Sequence, residues 1–203
     1  MRKFDTPNPI AVFLDIPAGR VRFVAADQAD TTVEVLPEDA DKGRDVKVAE
    51  QTTVEYGDGV LRIEAHAKNQ ILGPSGSVQV TVQLPTGSRV EAKAASVELR
   101  GVGRFGEVTF EASHGSINLD EAASVRLTTD AGDVSVGRLG GPAEISTGKG
   151  DIRIAEAVRG TVVLRTQAGD VSAPPPEFPP PWTPAPRTAG STTRSRTPTA
   201  PPN

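Results

Sequence analysis

Gly115-Ser116-Ile117-Asn118-Leu119, Gly132-Asp133-Val134-Ser135-Val136, Gly150-Asp151-Ile152-Arg153-Ile154 and Gly169-Asp170-Val171-Ser172-Ala173 are four versions of one phrase, with glycines 17, 18 and 19 residues apart. A unit of that size cannot bury a core alone and must stack on its neighbours. Ahead of each glycine lies a second alternating pair: Val108/Phe110, Val125/Leu127, Ala143/Ile145 and Val162/Leu164. Behind it lie Ile117/Leu119, Val134/Val136, Ile152/Ile154 and Val171. Period-2 patterning gives each strand one buried and one wet face. Each unit therefore reads as a two-strand rung of 17–19 residues, and the varying period places insertions in the turns. Stacked rungs set equivalent residues about 4.8 Å apart. Inward positions become aliphatic ladders. Outward positions become mixed ladders, such as Thr109, Arg126, Glu144, Val163 and Asn118, Ser135, Arg153. Residues 90–99 read as a worn earlier unit, with Val90, Ala92, Val97 and Leu99 inward and Ser96 near the glycine position.

Residues 1–94 read as a β-rich N-terminal section continuous with the stack, and residues 95–173 as the repeats. Val21–Val24 and Thr32–Val35 are short strands, and residues 38–45 form a charged loop. Val54–Tyr56, Gly57-Asp58-Gly59 and Leu61–Glu64 make a hairpin. Val78–Leu84 is the cleanest alternating strand. Asp45 to Gln51 can form a short helix, and residues 68–76 are a loop. From Pro174 onward the pattern stops. The last 30 residues hold 11 of the 18 prolines and the single tryptophan, Trp182. Such a composition forms no ladder and reads as a disordered tail. A second reading makes residues 174–203 an out-of-frame translation that has replaced further repeats.

Hydrophobic residues are 36% of the 203 and aromatics 4%, so the core is thin and aliphatic. The formal net charge is −4 and no Lys/Arg run occurs, which argues against nucleic acid. Without cysteine there is no disulfide, thiolate catalysis or Cys-bound zinc. No stretch approaches the ~18 apolar residues of a membrane-spanning helix. The basic Met1-Arg2-Lys3 is followed by an apolar run only from Ile10 to Leu14, stopped by Asp15 and Pro17. This falls short of a secretory signal and sets a cytoplasmic location as the expectation.

The turn ladder Gly115, Gly132, Asp133, Gly150, Asp151, Gly169 and Asp170 has a sharp and a plain reading. The sharp one is a calcium column. Calcium takes 6–8 oxygens, one carboxylate per rung is meagre, and Ser116 breaks the column. In the plain reading, glycine supplies positive φ and Asp hydrogen-bonds its own turn backbone; this one is adopted, with no metal or cofactor. An acid pair on one solenoid face, using Asp133, Asp151 or Glu144, would make a carbohydrate-active β-helix enzyme. Arg126, Glu144 and Arg153 read more simply as a solvated face. His66 and His114 have no nucleophile motif or second ligand nearby. Gly101-x-Gly103-x-x-Gly106 has partial dinucleotide spacing but no helix after it, and reads as a turn.

The Gly-Asp-(Val/Ile) phrases, Phe4-Asp5-Thr6-Pro7, Asp15-Ile16-Pro17-Ala18-Gly19 and Leu84-Pro85-Thr86-Gly87-Ser88-Arg89-Val90 together resemble a bacterial β-strand-repeat domain family of unknown function, often labelled "putative adhesin". The resemblance covers residues 4–173. It implies a β-solenoid-like fold with a β-rich N-terminal section and carries no catalytic residues. The chain therefore reads as an all-β short solenoid serving as a non-catalytic scaffold for an unidentified protein or polysaccharide partner. The end near residue 173 has no evident cap, so self-association through it is expected.

Overall fold

The computed structural model describes residues 1–65 and 76–173. His66, most of the 68–76 loop and the 174–203 tail with Trp182 lie outside them. The N-terminal elements are β1 (Arg2–Asp5), β2 (Ala11–Ala26), β3 (Asp30–Pro37), α1 (Gly43–Gln51), β4 (Thr52–Gly57), β5 (Val60–Ala65) and β6 (Val78–Pro85). Then follow β7 (Arg89–His114), β8 (Ile117–Ala131), β9 (Val134–Leu139), β10 (Ala143–Lys149), β11 (Ile152–Ala157), β12 (Val162–Ala168) and β13 (Val171–Ser172). The architecture is a β-solenoid of parallel rungs. β2, β7 and β8 are long because each runs round a corner from one face to the next.

On the first face, Val108, Val125, Ala143 and Val162 are successive register partners, as are Phe110, Leu127, Ile145 and Leu164. On the second face Leu99, Ile117, Val134, Ile152 and Val171 form one column. Most of these side chains are fully buried and make one continuous core. Beyond the two strands of each rung a short third segment also pairs: Phe105, Ala122, Leu139 and Ala157 form a further inward column.

The stack begins earlier than the glycine phrases suggest. β2 is itself a rung: Ala11–Val24 pairs in parallel with Arg89–Val102 of β7. On its other side β2 pairs in parallel with β5 and β6, which share a rung although they follow it in sequence. In the 90–99 unit the glycine position belongs to Val97, partner of Gly19, and Ser96 pairs with Ala18. Ser96, expected near the glycine position, stands one residue before it. Val97 fits because it is not among the positive-φ residues, so the corner there needs no glycine.

The N-terminal end of the stack is covered. β4 runs antiparallel to β5 through a turn with Asp58 and Gly59 at φ 51° and 74°. β3 runs antiparallel to β6, and β1 to β3. The Asp45–Gln51 stretch does form a helix, and α1 starts two residues earlier; it buries Val48, while its buried Asp45 accepts the Ser77 amide at 3.0 Å. At the other end β12 and β13 pair on one side only among the described residues.

Candidate functional site

The corner between the two faces carries the repeated phrase. Gly115, Gly132, Gly150 and Gly169 have φ of 134°, 148°, 140° and 144°. A Cβ on Gly132 would sit 1.9 Å from the Gly115 carbonyl oxygen. Glycine is thus required twice over, by backbone sign and by rung-to-rung approach. The Gly132 amide donates to Lys149 O at 2.8 Å, and the Val134 amide to Asp151 O at 2.8 Å. These bonds leave the Asp amides to be satisfied.

The aspartates satisfy them. Asp133 Oδ1 accepts the Asp151 amide at 2.9 Å, and Asp151 Oδ1 accepts the Asp170 amide at 2.9 Å. For Asp133 and Asp151 the expected bond to the residue's own turn is therefore replaced by a bond to the next rung. The cause is geometric: rung spacing brings the next amide within reach of the short side chain. Asp151 Oδ2 also takes Arg153 Nη2 at 2.7 Å. Among the described residues no group of three His, Cys, Asp or Glu is placed to hold a metal ion.

The other candidates stand elsewhere. Glu144 is on the first face between Arg126 Nε and Arg165 Nη1, each at 3.6 Å. The expected outward columns occur: Thr109, Arg126, Glu144 and Val163 are successive partners, and so are Asn118, Ser135 and Arg153. His114 is exposed at the end of β7, opposite Ala131. Gly103, at φ 90°, sits where the β7–β8 register shifts, and its amide donates to Asp120 Oδ2 at 3.2 Å. No helix follows. The Lys42 ammonium, 3.0 Å from Asp39, and then the Asp41 amide hold that loop carboxyl below its usual range, away from the ladder.

A second ladder lies just before the corner. Thr129, Thr147 and Thr166 are register-matched through β8, β10 and β12, and the first two are buried. Thr147 Oγ1 donates to Gly132 O or Lys149 O, both at 3.3 Å, and Thr166 Oγ1 to Gly150 O at 3.2 Å. The three threonines stand at a constant offset from the repeat glycines, a signal that the apolar-ladder reading passes over.

Parallel rungs, stacked corner glycines and an antiparallel cover at one end define a β-solenoid-like repeat domain. The Toastrack DUF4097 family model matches residues 13–174, and the chain belongs to that family. Similar solved structures include one described as a "putative adhesin" from Bacteroides fragilis, at 13% identity over 81% of this chain and 95% of that one, with a TM-score of 0.38. Another is a "putative cell adhesion protein" from Clostridium sporogenes, at 11% identity over 81% and 98%, with a TM-score of 0.30. A third is a "putative lipid binding protein" from Parabacteroides distasonis, at 12% identity over 81% and 95%, with a TM-score of 0.24. No curated protein matches the sequence.

Proposed function

We propose that the chain is a non-catalytic, adhesin-like scaffold whose flat outer faces bind a protein or polysaccharide partner. The observation that supports this reading is that the acids a catalyst would use already have structural work. Asp133 and Asp151 each hold an amide of the next rung, and Glu144 lies between two arginines. Catalytic carboxylates need freedom to take or give a proton to substrate. A stack of rungs instead offers side chains at a fixed interval, which suits recognition of a repeating or extended partner.

The test is incubation of the full chain with immobilised and soluble polysaccharides. Retention without new reducing ends is the expected result. Release of reducing ends, abolished by Asp133→Asn, Asp151→Asn or Glu144→Gln, would establish the carbohydrate-active alternative and overturn the scaffold reading.

A further inference from the structure

Several outward charges on this solenoid meet an opposite charge one rung away. Arg20 lies 3.3 Å from Glu98, Arg89 3.2 Å from Glu107, Lys93 3.5 Å from Glu111 and Arg138 3.5 Å from Glu156. One row on the second face breaks that habit. Thr81, Arg22, Arg100, Asn118, Ser135, Arg153 and Ser172 are successive register partners from β6 to β13. No carboxylate occurs among these seven. The row ends at Glu34, the β3 partner of Thr81.

Within the row, Arg22 and Arg100 are direct partners on adjacent parallel strands, and both are exposed. Neither forms an ion pair with a described carboxylate, whereas Arg153 is held by Asp151. Like charges placed opposite each other destabilise a sheet. An anion bridging the two guanidinium groups would reverse that effect, because each fork can grip a carboxylate through two parallel hydrogen bonds. Asn118 and Ser135 continue the row with amide and hydroxyl groups suited to sugar hydroxyls. Seven strands at about 4.8 Å give a strip roughly 29 Å long.

We propose that this row binds a linear polysaccharide bearing carboxylates, with Arg22 and Arg100 gripping the acid groups. The proposal rests on the scaffold reading and names its ligand class. Nucleic acid fits less well, since the row from Thr81 to Ser172 carries no aromatic side chain on which bases could stack.

Calorimetry at ~0.15 M salt compares polygalacturonate, neutral dextran and single-stranded DNA. The proteins are wild type, the Arg22→Thr/Arg100→Thr double variant and an Arg126→Thr control on the first face. Threonine keeps strand propensity. Polygalacturonate is expected to bind wild type, to weaken about tenfold or more in the double variant and to change less than about twofold in the control. The unliganded double variant is expected to melt at a higher temperature than wild type, which also reports that it folds. Undiminished polygalacturonate binding by the double variant, no binding by wild type, or equally tight binding of DNA would overturn the proposal. Dextran binding that ignores both arginines would retire the strip and leave the scaffold reading standing; release of reducing ends would retire the scaffold reading itself.

Discussion

Asp133 Oδ1 accepts the backbone amide of Asp151 at 2.9 Å, so a side chain in one rung closes the hydrogen bonding of the next. The bond is solvent-exposed, which places its worth near the low end for a charged acceptor. Asp133→Ala is expected to lower stability by about 1 kcal/mol. Asp133→Asn retains a carbonyl acceptor and should stay within ~0.5 kcal/mol of wild type. Urea unfolding of the two variants checks the pair. Equal losses would show that charge, not the amide bond, matters.

Glycine at the corner is tested by Gly132→Ala. The added methyl would lie 1.9 Å from Gly115 O at a φ of 148°. A loss of about 3 kcal/mol or more is expected, combining backbone strain with displacement of a neighbouring rung. Gly43→Ala, whose Cβ would meet nothing within 4 Å, is the control. It should change stability by less than ~0.5 kcal/mol.

Gly101 and Phe105 share one space. Gly101 stands in the inward column between Phe23 and Leu119, and a Cβ there would lie 2.6 Å from Leu119 Cδ2 and 3.0 Å from Phe105 Cε2. Gly101→Val should cost about 1–3 kcal/mol by overpacking, and Phe105→Ala about 3–5 kcal/mol by cavity formation. The double variant should lose less than the sum by at least ~1 kcal/mol, since each change relieves the other. Strict additivity in a thermodynamic cycle would contradict the shared space.

Calcium should leave the melting temperature unchanged. Asp133 and Asp151 already accept amides, and each rung contributes at most one carboxylate to the column, Ser116 contributing none. A calcium-dependent rise in melting temperature, removed by Asp151→Asn, would restore the metal reading.

Val158 and Val171, at 42% and 47% relative exposure, lie near the end of the stack where β13 pairs only with β11 among the described residues. Concentration-dependent association is expected in light scattering, and Val163→Lys on β12 should reduce it by placing a charge on that edge strand. A monomer at all concentrations would remove this edge as an assembly surface.

The rung register from residue 107 onward was legible because alternation and glycine spacing report the same period. Two things hid the earlier rungs. β2 has Pro17 and Gly19 at its own corner but no second glycine phrase beside it, since Val97 fills that position. Its other neighbours, β5 and β6, lie on either side of the 66–77 segment, so no fixed spacing marks them. The Asp–amide bonds were missed because a local turn and an inter-rung bond demand the same residue. The Arg22–Arg100 pairing needed the register itself, as nothing local marks either residue.

β2 lies between strands that are all made after it: β5 and β6 on one side, β7 on the other. Its backbone therefore leaves the ribosome with neither lateral partner yet in existence. At ~5–20 residues per second, the wait from Ala26 to Val102 is on the order of 4–15 s. The domain cannot wind progressively from its first residues. Its first-made rung waits for strands that are made after it, which makes the early part of the chain the segment most in need of protection during synthesis.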